Sequence, residues 1–141
     1  MILRVGCRYD TVGADYWKGR CHMTLFVTLV LTHFVADWLF QTEYEAMNKA
    51  KGKFLNAAIL KHSFIYTLAF VPALIYFGAP IGWLIALFTS HLFLDRRRPV
   101  VWWIKTVKRT SEETINKLFW MVIVIDQIFH ILVLVPIAIW R

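Results

Sequence analysis

The chain has 141 residues, of which 59% are hydrophobic and 16% aromatic, and its mean hydropathy is +0.56. Soluble domains are close to half apolar, so this excess indicates a membrane protein, and the length suits a single domain. The net charge of +7 comes from Lys and Arg that lie between apolar segments rather than along a helix face. This placement argues against a nucleic-acid partner and is typical of the loops of a membrane protein.

Residues 1–22 mix glycine with both charge signs and show no helical or strand period. They lack the apolar stretch and cleavage site of a signal peptide. Cys7 and Cys21 are the only cysteines, too few for a disulfide framework or a thiolate zinc site. We predict a domain over 23–141, with 1–22 as an N-terminal extension outside the native product and Met23 as its start.

Four apolar segments follow, at 23–40, 54–77, 80–95 and 118–140. A membrane span needs about 20 residues, with roughly 17–25 tolerated, so the third segment is short. The pattern predicts an all-α integral membrane four-helix bundle. The stretch 99–109 alternates apolar residues, two tryptophans and cations, which predicts a short interfacial helix between the third and fourth spans. An ordinary charged loop with a tryptophan belt is the alternative.

The loops 41–53 and 96–117 carry most of the Lys and Arg residues, and with four spans both loops lie on one side. The positive-inside rule makes that side cytoplasmic. We therefore predict a protein of the bacterial inner (plasma) membrane. The turn Gly78-Ala79-Pro80 joins the second and third segments on the outer side.

The spans contain ionisable residues where ionisation is expensive. Three pairs of His and Asp stand four residues apart, so each pair shares one helix face: His33/Asp37, His91/Asp95 and Asp126/His130. Gln41 extends the first pair by one turn, Gln127 follows Asp126, and His62 adds an imidazole from the second segment. One such pair alone would be explained by a hydrogen bond within a helix or a clamp between helices. Three pairs and His62, spread over four segments, favour a shared functional site.

Imidazole and carboxylate groups are suited to a divalent zinc, manganese or iron ion, and helical bundles commonly hold metals with such residues one turn apart. Some of these groups would instead orient the ligands through hydrogen bonds. We predict the metal ligands His33, Asp37, His91, Asp95, Asp126 and His130. We predict the catalytic groups His62, Asp37 and Gln127. We predict a polar rim for the substrate made of Gln41, Lys49, Lys61 and Arg96.

The segments HFVADWLFQT, NKAKGKFL, KHSFIY, HLFLD and DQIFH occur in this order over 23–134. In this the chain resembles a family of small bacterial and phage integral-membrane proteins that is known only as a domain of unknown function. The resemblance implies the site residues His33, Asp37, Gln41, Lys49, His62, His91, Asp95, Asp126, Gln127 and His130. The family has a lysine after its second aspartate, whereas Arg96 follows Asp95 here. Membrane-bound metal-dependent hydrolases and ceramidase-like amidases show a more distant similarity in site chemistry.

These features favour a metal-dependent hydrolase that acts on a lipid or lipid-linked substrate at the cytoplasmic leaflet. Membrane lipids are the expected partners, and the sequence is compatible with an oligomer. The alternative is a non-enzymatic membrane module whose polar residues specify helix packing or docking. A metal or proton transporter is disfavoured. The segments 23–32, 63–90 and 131–140 contain no Asp, Glu, His, Lys or Arg, so the outer half offers no polar path.

Overall fold

A computed structural model of the chain describes residues 14–52 and 55–140, with residues 14–21 described for the backbone only. Over these ranges the chain forms α-helices and one π-helical turn, and no strand. The all-helical prediction is confirmed. The helices are α1 (Ala14–Phe34), α2 (Glu43–Asn48), α3 (Ala57–Ala69), α4 (Val71–Phe77), α5 (Trp83–Leu94), α6 (Arg98–Thr106), α7 (Glu112–Lys117) and α8 (Phe119–Ile139).

Three helical stretches in the described part of the chain are long and apolar enough to cross a membrane: His22–Leu39, Ala57–Phe77 and Phe119–Ile139. The third predicted span corresponds to α5, which has only 12 residues. At 1.5 Å per residue, α5 is about 18 Å long, against a hydrocarbon core of about 30 Å. The structure therefore supports three spans by length and composition, and the four-span bundle stays a prediction.

The helix α1 begins upstream of Met23, at Ala14. Most of the predicted extension, residues 1–13, lies outside the described residues, as do the side chains of Cys7 and Cys21. The start at Met23 therefore stays a prediction.

A π-helical turn, Val35–Leu39, follows α1 directly. The Phe40 N–H donates to the Val35 carbonyl at 3.1 Å, five residues back. Such wider turns occur mostly as short interruptions and frequently at functional sites. Here the turn contains Asp37, whose side chain is buried.

The second predicted span is interrupted once. Helix α3 ends at Ala69 and α4 begins at Val71, because Pro72 in the first turn of α4 has no N–H to continue the α3 ladder. Gly78 ends α4 in the left-handed conformation, with φ of 65°. Glycine adopts this conformation without the steric penalty of a side chain, and the tight turn to α5 follows as predicted.

The core consists of two apolar clusters with a polar layer between them. One cluster packs α1, α4, α5 and α8 around residues such as Leu29, Phe70, Leu87 and Leu134. The other joins α6, α7 and α8 through Val100, Ile104, Ile115 and Val122. Along each of α1, α3, α5 and α8, the buried histidine lies at the edge of the first cluster. The polar layer thus has a continuous apolar cluster on the side predicted to face outward.

The loop between α5 and α8 contains the predicted additional helix, observed as α6. Arg97 turns the chain into it with a left-handed backbone, φ of 56°. Val100 and Ile104 are fully buried on one side of α6, whereas Trp102 is exposed on another. This amphipathic distribution agrees with the helix expected over 99–109, and its position at a membrane surface stays a prediction.

Candidate metal centre

Four histidines, one each from α1, α3, α5 and α8, converge in the polar layer. His33, His62, His91 and His130 are all at most 2% exposed. The ring centroids of His62 and His91 lie 5.0 Å apart, those of His91 and His130 4.7 Å, and those of His33 and His130 5.4 Å. Side chains that are distant in sequence therefore share one pocket.

At the centre, two imidazoles and two carboxylates form a compact group: Asp37, His62, His91 and Asp95. One ligand atom from each can be chosen so that all four lie within 4.8 Å of one another. His62 Nε2 lies 2.9 Å from Asp37 Oδ1 and 3.3 Å from Asp95 Oδ2, and His91 Nε2 lies 3.2 Å from Asp95 Oδ2. Two nitrogen and two carboxylate ligands form a donor set that suits zinc, manganese or iron(II).

Several buried polar atoms in this layer make no hydrogen bond within the described part of the chain. They are both ring nitrogens of His91, both carboxylate oxygens of Asp95, Oδ1 of Asp126 and Nε2 of His130. A buried polar atom without a hydrogen bond is costly, so such atoms call for an explanation. A bound cation would satisfy one ring nitrogen of His91 together with a carboxylate oxygen of Asp95, and the residues present therefore fit a divalent metal.

Lys49 places its ammonium group beside the same carboxylates. Nζ lies 3.3 Å from Asp37 Oδ1 and 3.0 Å from Asp95 Oδ2, although the angles at Asp95 make this an ion pair rather than a hydrogen bond. Burial alone would lower the pKa of Lys49, but the charges of Asp95 and Asp37 outweigh burial and raise it. The amine therefore stays protonated at neutral pH and neutralises part of the carboxylate charge. Its Nζ also lies 3.4 Å from His62 Nε2.

Arg96 fixes the backbone that carries Lys49. Its guanidinium donates to the carbonyls of Lys49 at 2.9 Å, Lys51 at 3.1 Å and Gly52 at 2.9 Å. Arg96 is 2% exposed and directly follows Asp95 in sequence. The end of α5 thus supplies both a carboxylate of the centre and the side chain that positions the ammonium against it.

A chain of three hydrogen bonds connects Tyr66 to Asp37. The Tyr66 hydroxyl donates to His33 Nδ1 at 3.1 Å, and His33 Nε2–H donates to Gln127 Oε1 at 2.9 Å. Gln127 Nε2 then donates to Asp37 Oδ2 at 2.8 Å. Between Tyr66 and Asp37, each group in this chain accepts one hydrogen bond and donates the next. The other carboxylate oxygen, Asp37 Oδ1, then faces the centre. His33, predicted as a ligand, and Gln127, predicted as catalytic, are therefore both placed where they orient Asp37.

The third predicted pair lies beside the compact group. His130 Nδ1–H donates to the backbone carbonyl of Asp126 at 2.9 Å, and the Asp126 carboxylate is 3.8 Å from the same nitrogen. His130 Nε2 is 3.9 Å from Asp95 Oδ1. Asp126 and His130 therefore border the centre without belonging to its closest set.

The structure separates the four predicted rim residues. Lys61 is exposed and pairs with the buried Glu45 at 3.1 Å. Gln41 is partly buried, and its amide nitrogen lies 3.0 Å from His62 Nε2. Lys49 and Arg96 are buried within the fold rather than exposed at a rim. The reason is electrostatic, because each cation lies among acceptors from the loop or the centre.

A family described as "Protein of unknown function (DUF3307)" matches residues 25–141. The chain belongs to this family. The match spans the C-terminal part of α1 and all of α2 to α8, and it includes every residue described above as part of the candidate centre. The resemblance to a domain of unknown function is thereby confirmed. No curated protein and no solved structure matches the chain significantly.

Sequence reasoning missed two parts of the site in this DUF3307 chain. Tyr66 stacks on His91, with ring centroids 3.6 Å apart and planes 7° from parallel. Its position four residues after His62 places it on the same helix face, and this spacing could have predicted its place at the site. The sequence pattern predicts a loop over 41–53, whereas the structure has α2 there, with a capping box of Thr42 and Glu45 whose Thr-x-x-Glu spacing is visible in the sequence.

Proposed function

We propose that the chain is a multi-pass membrane protein that binds a divalent cation through Asp37, His62, His91 and Asp95. The observation that carries this proposal is the approach of these four ligand atoms to within 4.8 Å of one another in a buried layer. Groups of this kind are rare inside membrane segments without a role. A cation there also offsets the free energy of burying two carboxylates.

We further propose that the centre serves a metal-dependent hydrolase. A divalent cation in such a site supplies Lewis acidity, which polarises a carbonyl or phosphoryl oxygen and lowers the pKa of a water molecule to near 7. Asp126 is the best-placed proton acceptor, because it borders the ligand group and its Oδ1 has no hydrogen-bond partner in the described chain. Gln127, through Asp37, keeps one ligand in a fixed orientation.

The substrate class we propose is a lipid or lipid-linked molecule at the cytoplasmic leaflet of the bacterial plasma membrane. Two features support this. The loops that flank the centre carry most of the cations, which indicates the cytoplasmic side. The apolar cluster around Phe70 and Leu134 covers the side opposite to these loops.

A non-enzymatic membrane module is the second candidate, and Lys49 favours it. Its ammonium already lies within 3.3 Å of both carboxylates, so the layer is partly neutralised by the chain itself. In that case the polar layer fixes how α1, α3, α5 and α8 pack. Replacement of His91 by Gln would then preserve function.

The test of the metal is elemental analysis of detergent-purified protein, with His91→Gln and Asp95→Asn as variants and His22→Gln as the matched control. His22 bonds to the Ala138 carbonyl, away from the centre. We expect close to one metal ion per chain in the wild type and the control, and loss in both centre variants. Stoichiometric metal that survives His91→Gln and Asp95→Asn would refute this ligand set.

The hydrolase is tested separately, with metal-loaded protein in vesicles of mixed lipids and mass spectrometry of the released headgroups and acyl chains. We expect products that disappear on chelation and in Asp126→Asn. If the metal is present and no lipid is cleaved, the non-enzymatic module is the better description.

A further inference from the structure

A groove follows the seam between α5, α6 and α8, on the outside of the bundle. Its first part, about 580 Å³, is lined by Leu94, Arg98, Trp102 and Phe129 among others. Its second part, about 650 Å³, continues along α5 and α8 towards Pro136 and shares Leu94 and Phe129 with the first. Both volumes are within the range of about 300–1,000 Å³ that is usual for ligand sites.

The second part of the groove is mainly apolar. Its two hydroxyl groups are already engaged, since Thr89 donates to the Ile85 carbonyl at 2.8 Å and Ser90 donates to the Ala86 carbonyl at 2.6 Å. The rest of the wall includes Leu132 and Pro136. The two hydroxyl protons are therefore not available to a polar ligand, whereas an acyl chain would bury apolar surface along the rest of the wall.

The other end of the groove is cationic. Arg98 is exposed and makes no ion pair with any residue in the described ranges, whereas Lys105, further along α6, is paired with Glu112 at 3.1 Å. Trp102 lies one turn after Arg98 on the same face and is 64% exposed. An arginine beside an exposed tryptophan at the end of an apolar seam is suited to a lipid headgroup with negative charge.

We propose that this seam binds an anionic phospholipid from the bilayer, with its phosphate at Arg98 and one acyl chain along α5 and α8. The groove runs close to the candidate centre along the chain, since its lining residues Leu94 and Phe129 are the sequence neighbours of Asp95 and His130. If the bound phospholipid is also the substrate, the inference rests on the proposed function. Binding of the phospholipid in the groove requires no metal.

The experiment uses nanodiscs that contain the full chain with equal amounts of phosphatidylglycerol and phosphatidylcholine. In parallel samples, one of the two lipids carries a photoactivatable acyl chain, and mass spectrometry locates the cross-linked peptides. We expect adducts of phosphatidylglycerol concentrated on α5 and α8, with fewer adducts of phosphatidylcholine at these positions. Removal of one cation near a membrane surface weakens anionic lipid binding by about fivefold, so we expect about this loss in Arg98→Gln.

Two pairs of variants provide the controls. Arg109→Gln removes an exposed cation outside the groove and should leave the adducts unchanged. Ala86→Phe fills the groove and should abolish the α5 and α8 adducts of both lipids, whereas Ile85→Phe places the same phenyl side chain on the exposed side and should not.

Adducts spread evenly over all exposed helix faces, or equal labelling by the two lipids, would overturn the proposal. So would unchanged labelling in Arg98→Gln, or cross-links between two copies of the chain at this seam. The same preparations of His91→Gln separate the two proposals. Lipid adducts retained without metal would support the groove independently, whereas metal retained without groove adducts would leave only the metal centre.

Discussion

Replacement of Lys49 by Met removes the only ammonium group that contacts the compact group within the described ranges. The side chain keeps its apolar length, so the change mainly deletes the charge. Two carboxylates, Asp37 and Asp95, then remain buried without this cation. We expect the metal-free variant to be markedly less stable than the wild type, and we expect a divalent cation to restore much of the loss.

The magnitude follows from the distances. At an effective dielectric constant of about 20, unit charges at the 3.0 Å and 3.3 Å separations of Lys49 from its two carboxylates attract by about 5 kcal/mol each. The desolvation of the ammonium offsets much of this attraction. Removal of one partner from a buried ion pair lowers the free energy of unfolding by about 3–5 kcal/mol, which we take as the expected loss. A cation at about 100 times its Kd returns about 2.7 kcal/mol.

The assay compares the temperature at which half of the detergent-purified protein loses its monodisperse elution profile, with EDTA and with added zinc or manganese. Lys51→Met is the matched control, since Lys51 is exposed in the same loop and its side chain contacts no carboxylate of the centre. We expect the metal-induced increase to be larger in Lys49→Met than in the wild type or the control, because ammonium and metal compete for the same oxygens.

Two results would contradict this reasoning. Equal stability of Lys49→Met and Lys51→Met in EDTA would mean that the ammonium does not neutralise the carboxylates. A destabilised Lys49→Met that no divalent cation restores would mean that the group does not bind metal, and it would favour the structural module.

Three further predictions test the surroundings of the centre. Arg96→Lys keeps the charge but loses the planar fork that binds three carbonyls, so the free energy of unfolding should fall by about 2 kcal/mol in chemical denaturation, whereas Arg98→Lys should change little. Gln127→Leu leaves Asp37 without its orienting donor and should weaken metal affinity about 10–100-fold in competition with a fluorescent chelator, with unchanged affinity as the contrary result. Thr42→Ala breaks the capping box of α2 and should lower stability by about 1 kcal/mol with metal content retained.

The helical periodicity of the sequence located the polar layer but not the roles of its members. The spacing of His91 and Asp95 predicted a shared helix face, and the two side chains do meet at 3.2 Å. For His33 and Asp37 the same spacing predicted too direct a contact, since a π-helical turn begins at Val35 and the two side chains are connected through Gln127. The residues near each pair in the sequence do not reveal which pair will make a direct contact, because the π-helical turn also packs against α3.

Lys49 was predicted as a site residue, but its burial against the carboxylates was the least predictable feature. In sequence it belongs to a basic loop between two spans, and such lysines usually remain in water or extend to the membrane surface. Its burial depends on Arg96, which is 47 residues away and holds the carbonyls of the loop. A contact between a loop and the end of a distant helix leaves no periodic pattern in the sequence. It is therefore seen only in the folded structure.

The adjacency of Asp95 and Arg96 connects the candidate metal centre to the loop that carries Lys49. Asp95 contacts His62 and His91, while Arg96 holds the backbone of Lys49 and Lys51. A shift at the end of α5 therefore moves a carboxylate and the competing ammonium together. If a metal ion replaces the ammonium as proposed, the Lys49 side chain must move while Arg96 holds the loop backbone. For this reason a lysine side chain, with its several rotatable bonds, is compatible with both a metal-free and a metal-bound layer.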